Sequence, residues 1–482
     1  MAKSIKKNIV YNVFLNISRV IFPLITAPYV SRVLEPDGVG LFNFANTYAT
    51  YFALFAALGI PLYGIREIAK IRDDSMRQTE FVSEIMSISV IITSICTLLL
   101  FISLFFIPQL HENCVIFLVA GTLLYITPFK IDWFYQGKEE FGYIAFRSIF
   151  IKTLSVILLF VLVRHKNDLI IYVALNAACQ ILNELWNFVK LYRSGIHPHF
   201  TLKGVRHIKP LLILFSSSIA IYVYSGIDTL MLGFISGYDD VGYYNCATHI
   251  TKGLLPLVTS LASVMLPRVS HLREVGEWDE INRLINKSVS VVGFLSVPIV
   301  VGVIIIASPF VPLFFGDQYD GTIVPLQILS LTVFAIGMSN IAGVQVLLGF
   351  GKDKFFLYSI LIGMVVSFVS NLVMIPLFGA SGASFSSSLA ELTVLFAMLY
   401  FIYQQTCLRI VVAKELLIDA VVSLTFVIVA ILIGHFLDGW FYVIVTSLSC
   451  ACLYLLVQFY LRNSVCIDMI KIIESQRNKF RK

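Results

Sequence analysis

Two cations sit where a charge is expensive. Arg19 lies within the apolar stretch from Asn8 to Thr26, and Lys252 within another. An Arg near the middle of a membrane-spanning helix costs roughly 2.5–3.5 kcal/mol even on the lenient insertion scale, so such a residue faces a bundle interior or a watery cavity. Nothing nearby in sequence neutralises either one. The chemistry they offer is anion binding, with a forked contact from the guanidinium and a point charge from the ammonium. Both belong to polar stripes. At about 100° per residue, Asn8, Asn12, Asn16, Arg19 and Thr26 fall within about 80° of one another, with Pro23 on the same face. Asn245, His249, Lys252, Pro256, Thr259 and Ser263 make a similar stripe, and Asn43, Thr47 and Thr50 match its first three places. Ser218, Tyr222, Ser225 and Thr229 form another, with Asp228 to one side. Interhelical hydrogen bonding would account for the Asn and Thr residues alone. A stripe facing a substrate path accounts for the cations as well.

Other ionisable residues fall into two groups. Arg147 and Lys152 are five apart, so they diverge by about 140° on a helix and cannot point the same way. Arg147 is near a helix end, where snorkelling also explains it. Asp228, Glu184 and Glu391 are intramembrane acids that could take up a proton or cation in coupling, and Asp419 is of the same kind. His249 serves as a hydrogen bonder between helices or as a proton carrier. No GxxxxGK[ST] loop occurs, so there is no P-loop chemistry. The eight cysteines show no CxxC or metal-ligand spacing, and neither a metal nor a cofactor is expected.

These residues need membrane helices to position them. Of the 482 residues, 58% are hydrophobic and 13% charged, about half the charged share of a soluble protein. The expected class is an all-α polytopic membrane protein with about fourteen spans, approximately 9–30, 41–63, 83–106, 114–134, 142–163, 169–190, 211–235, 241–266, 284–307, 323–349, 355–376, 382–404, 415–436 and 440–461. With the N-terminus in the cytoplasm, inside segments hold 27 of the 35 basic residues and outside segments hold Arg32, Arg164 and Lys166. That bias places both termini inside. The net charge of +6 is spread between hydrophobic runs and does not suggest nucleic acid.

The chain also repeats. Asp37-Gly-Val-Gly-Leu-Phe-Asn-Phe-Ala45 aligns with Asp239-Asp-Val-Gly-Tyr-Tyr-Asn-Cys-Ala247, five identities in nine at an offset of 202. Gly137-Lys-Glu-Glu-Phe141 aligns with Gly351-Lys-Asp-Lys-Phe355 at an offset of 214. Two matches in the same order indicate parallel six-helix repeats, 1–200 and 201–405, followed by two extra helices and a basic tail over 406–482. A substrate cavity between the repeats is where their polar faces would be needed.

Two stretches resemble a known family. The run Pro28-Tyr-Val-Ser-Arg-Val-Leu-Glu-Pro-Asp-Gly-Val-Gly-Leu-Phe-Asn-Phe44 is similar to the signature after the first span of bacterial polysaccharide repeat-unit (O-antigen-type) flippases. Trp133-Phe-Tyr-Gln-Gly-Lys-Glu139, followed by Tyr143-Ile-Ala-Phe-Arg147 and Lys152, resembles that family's link between spans 4 and 5. This is the polysaccharide-transport branch of the multidrug/oligosaccharidyl-lipid/polysaccharide exporter superfamily. The resemblance implies two lobes in a V around a central cavity. It also implies an oligosaccharide on an undecaprenyl pyrophosphate carrier, flipped across the bacterial cytoplasmic membrane, with a polysaccharide polymerase or chain-length protein as a further partner. Arg19, Lys252, Asn12, Asn16, Arg32, Arg147, Lys152, Asn245 and His249 are the expected substrate-binding residues. Glu35 departs from the pattern, which has Gly before the Pro, and puts an acid beside Arg32. A lipid II flippase would use the same cationic cavity. A multidrug antiporter would present acids there, and the first stripe has none. An enzyme of glycan assembly would need a catalytic loop that the short connections do not supply.

Overall fold

A backbone in hydrocarbon has no water to bond, so apolar runs close their own hydrogen bonds as helices. The computed structural model describes residues 5–406, 408 and 414–467, without the side chains of 5–10, 12–14, 16, 17, 19, 20, 217–223, 225, 261–264 and 414. The described residues form helices and turns, with no strand among them. In the first half these are α1 (Ile5–Ala57), α2 (Ile60–Lys70), α3 (Ser75–Phe106), α4 (Pro108–Glu112), α5 (Cys114–Ala120), α6 (Thr122–Tyr125), α7 (Asp132–Gly137), α8 (Phe141–Leu162), α9 (Leu169–Arg193) and α10 (Ile208–Ile235). There follow α11 (Tyr238–Val275), α12 (Trp278–Phe315), α13 (Ile323–Asn340), α14 (Asp353–Gln405), α15 (Lys414–Gly434) and α16 (Gly439–Tyr460).

Among the described residues nine helices are individually long and apolar enough to cross a membrane, or up to ten if the bent pair Ile21–Ala57 and Ile60–Lys70 is one span. That is fewer than the fourteen expected. The expected span over 211–235 is the 28-residue α10, part of which falls on side chains outside the described residues, and the rest of the difference has local causes. α1 and α14 each run for 53 residues. At 1.5 Å per residue that is about 80 Å, against a hydrocarbon core of about 30 Å. Each covers two of the expected spans and is interrupted by one non-helical residue, Glu35 (φ 60°, ψ 173°) in α1 and Gly379 (φ 53°, ψ −127°) in α14. The expected span over 114–134 is not a continuous helix. It breaks into α5, α6 and a 3₁₀ turn at Thr127–Phe129, where Pro128 has no N–H to continue the ladder.

The chain divides into two compact units, Met1–Gly242 and Tyr243–Lys482. The core of the first gathers Tyr63, Ile68, Phe81, Ile85, Trp133, Phe134 and Tyr135. The second is built on Val258, Ile285, Val333, Val346, Val394 and Met398. The last two helices join it through Phe294, Val422, Phe426, Cys450 and Tyr454, which tie α15 and α16 to α12.

The repeated motif has a structural counterpart. A Cβ on Gly40 would strike the carbonyl of Tyr238, and one on Gly242 would strike the carbonyl of Pro36. Both pairs obey the offset of 202, so each copy of the motif places its glycine on the other copy's backbone. Glycine is needed there because two backbones touch.

Candidate functional site

The first unit contains a small cavity of about 160 Å³ lined by Phe22, Pro23 and Thr26 of α1, Lys152, Ser155 and Val156 of α8, and Tyr172 and Asn176 of α9. Pro23 and Thr26 are the C-terminal end of the first polar stripe. The ammonium of Lys152 lies 5.7 Å from the centre of the Phe22 ring, a cation–π distance. Thr26 returns its hydroxyl to the Phe22 carbonyl at 3.1 Å, and Asn176 donates to the Tyr172 carbonyl at 2.8 Å. Those bonds fix the rotamers while leaving the side-chain oxygens as acceptors. The structure thus brings Lys152 together with the stripe on α1, and adds Tyr172 and Asn176, which the sequence reading did not single out. The side chains of Asn12, Asn16 and Arg19, with Asn8, lie outside the described residues.

Arg147 goes elsewhere, as the helical spacing requires. It is 1% exposed, the largest of the fully buried side chains. One guanidinium nitrogen donates to Asp132 Oδ1 at 2.8 Å and another to Asn187 Oδ1. Asn187 in turn donates to Asp132 at 2.9 Å and to Glu184 Oε2 at 3.0 Å. Tyr143 donates to Asn187 Oδ1 at 3.2 Å, and Tyr135 donates to the Asn187 carbonyl at 2.6 Å. Lys190 pairs with Glu140 and sits 3.4 Å from the centre of the Tyr143 ring. The family-like stretch 133–147 therefore supplies a buried clamp joining α7, α8 and α9. In it Arg147 holds protein groups, not an open pocket, and Glu184 has a partner in Asn187. Asn187 is the hub that sequence reasoning missed. Its position three residues after Glu184 on one helix was the available signal.

In the second unit α11 carries two unlike faces. His249, Lys252 and Pro256 are exposed and Asn245 is half-buried, so the polar stripe forms an open face. Roughly opposite on the helix, Ile250 and Leu254 line an apolar groove of about 570 Å³. Its other walls include Phe294 and Pro298 of α12, Phe426 of α15, and Tyr454 of α16. Asp228 is buried on α10 within electrostatic reach of Tyr51 in α1. Glu391 is half-buried on α14, and Arg32 is exposed on α1. Glu35 forms an ion pair with Lys166. Among the described residues no three His, Cys, Asp or Glu side chains converge as metal ligands would.

Comparison with known proteins fits this architecture. The chain is 26% identical over 408 residues to a protein of Escherichia coli (strain K12) named for O-antigen transport, covering 83% of this chain and 97% of that one. It is 21% identical over 403 residues to the capsular polysaccharide biosynthesis protein CapF of Staphylococcus aureus, covering 82% and 98%. The structure of the lipid II flippase MurJ in an inward closed conformation superposes with a TM-score of 0.76 over 95% of this chain and all of that one. At 15% identity that likeness speaks to the fold. A family model described as "Polysaccharide biosynthesis protein" matches residues 5–273, more than half of the chain. The chain belongs to this polysaccharide biosynthesis protein family.

Proposed function

We propose that the protein is a flippase, not an enzyme, that moves an undecaprenyl-pyrophosphate-linked oligosaccharide repeat unit from the cytoplasmic to the outer leaflet. The observation that carries this reading is the two-faced α11. Such a substrate has an anionic, sugar-bearing head and a long hydrocarbon tail. A single helix here offers Asn245, His249 and Lys252 on one side and an apolar groove on the other. Buried apolar area favours the tail at about 25 cal/mol per Å², while Lys252 and Arg19 would supply counter-charge to the pyrophosphate. The Lys152 cavity offers hydroxyl and amide groups of the kind that bind sugars.

Family membership and the relatives named for O-antigen and capsular polysaccharide support the substrate class. Alternating access moves the head group without ATP, with Asp228, Glu184 or Glu391 as coupling acids. The basic-residue bias supports a cytoplasmic-membrane location with both termini inside. A polymerase or chain-length protein would take the product.

The test is the lipid-linked intermediate that accumulates when the gene is deleted, together with flipping by purified protein in vesicles. Accumulation of an oligosaccharide repeat unit on undecaprenyl pyrophosphate is expected. Accumulation of lipid II, with the repeat unit unaffected, would replace this reading by the peptidoglycan one.

A further inference from the structure

The carboxyl of Asp419 is fully buried where α15 meets α12 and α16. Its Oδ1 lies 3.0 Å from the Tyr454 hydroxyl and 2.6 Å from Gln458 Nε2, and its Oδ2 has no hydrogen-bond partner. The same Tyr454 hydroxyl lies 2.9 Å from the Phe294 carbonyl. A phenol has one proton, and here two acceptors face it. The sequence decides between them. Within a helix the Phe294 carbonyl would accept from residue 298. That residue is Pro298, which has no N–H. The carbonyl depends on Tyr454 for its donor, because buried backbone oxygens are rarely left unpaired. Tyr454 therefore spends its proton on α12 and meets Asp419 with an acceptor oxygen.

The opposite side of Asp419 is equally directional. The Val465 N–H donates to Asn463 Oδ1 at 2.9 Å, which turns the Asn463 amide nitrogen toward Gln458 Oε1, also at 2.9 Å. Gln458 is left with its nitrogen facing Asp419. We propose that Asp419 is a proton-binding site, held as a neutral carboxylic acid whose Oδ1–H donates to Tyr454. The proton completes a one-way hydrogen-bonded chain from the Val465 N–H to the Phe294 carbonyl. An ionised carboxyl would bury a charge with one oxygen unbonded. The titratable groups facing it are Tyr454 on α16, Cys466 beyond it, and Glu415 one turn earlier on α15. α12 presents backbone at Gly293 and Phe294, and its Lys287 lies nearly two turns before them. Among the described residues no cation pairs with Asp419.

On release, the carboxyl O–H bond breaks, the electron pair stays on Oδ1 and the proton passes to water. The Tyr454 proton then turns from Phe294 to the new carboxylate. The α12 carbonyl left open by Pro298 loses its donor. Phe294, Pro298 and Tyr454 all line the apolar groove, so protonation and groove shape are linked through one hydroxyl. The inference is independent of which lipid the protein carries.

Infrared difference spectra of the full chain in lipid nanodiscs, wild type minus Asp419→Asn, test it. At neutral pH the wild type should show the carbonyl band of a protonated acid, downshifted in D₂O and missing from the variant. Pro298→Ala gives Phe294 a backbone donor and frees the Tyr454 proton for Asp419. In that variant the band should titrate away at lower pH than in the wild type. Comparing these two titrations needs no folded Asp419→Asn protein. A carboxylate signal at neutral pH, or a titration that Pro298→Ala leaves unmoved, overturns the assignment.

Discussion

Glu35 occupies a backbone conformation that glycine alone adopts freely. Its φ of 60° with ψ of 173° lies in the region that is essentially restricted to Gly. Pro36 enforces the extended ψ, because a residue before proline is driven out of the helical well. Such strain costs about 1–3 kcal/mol. The perturbation is a pair of variants, Glu35→Ala and Glu35→Gly. Both lose the ion pair with Lys166, so that contribution cancels between them. Alanine keeps the Cβ and the strain, whereas glycine removes both. Glycine also loses roughly 0.5–1 kcal/mol more to unfolded-chain entropy than alanine. The balance leaves Glu35→Gly more stable than Glu35→Ala by up to about 2.5 kcal/mol. The assay is the thermal midpoint of each purified variant in one detergent, run beside the wild type. An alanine variant more stable than the glycine one would refute the strain argument, and with it the reason the family pattern has Gly at this place.

Other outcomes follow from the site. Arg147→Ala removes the donor that joins Asp132 and Asn187. Breaking a buried pair costs about 3–5 kcal/mol, but the half-open Asp132 can regain water, so a loss of roughly 2–3 kcal/mol is expected and should appear as reduced membrane abundance and a lower thermal midpoint. Lys152→Met and Lys252→Ala should lower flipping in vesicles while abundance stays near normal; normal transport by an Arg19→Ala, Lys252→Ala double variant would remove the anion-binding role. Gly40→Ala and Gly242→Ala each press a methyl on a backbone carbonyl, and at least the 1–3 kcal/mol typical of overpacking should be lost. Gly253→Ala, with nothing within 4 Å, is the control and should be harmless. A cysteine at the exposed Asp320 should react with an impermeant reagent in intact cells, whereas one at Lys354 should need permeabilisation.

Hydropathy made the helical class plain, and helical spacing alone separated Arg147 from Lys152. One turned to a buried clamp and the other to a polar cavity, as a divergence of about 140° demands. The span count was less legible, because the apolar helical stretch Cys114–Phe129 stops at the 3₁₀ turn around Pro128, too short to count as a span. Hydropathy measures transfer into lipid and is blind to a missing N–H. The clamp was also hidden. Nothing local links Asp132 to Asn187, 55 residues later. Neutral hubs such as Asn187 and Gln458 escape a search that begins from charges, although they set the direction of every bond around them. The exposed face that carries Lys252 and His249 was legible because its stripe needs only one helix to be seen.

The glycine crossing at Gly40 and Gly242 has a further consequence. Residue 40 touches 238, and 36 touches 242, which is the reciprocal pattern of an isologous contact on a twofold axis. Two identical subunits meeting this way suffer every substitution twice, once on each side. A chain carrying both copies covalently suffers it once. The motif shows that freedom: Leu41 aligns with Tyr243, and Phe44 with Cys246, while the glycine under each backbone contact is the same in both copies. Fusion therefore turns a self-complementary joint into two surfaces that can diverge independently, one copy keeping an aromatic where the other holds a small thiol.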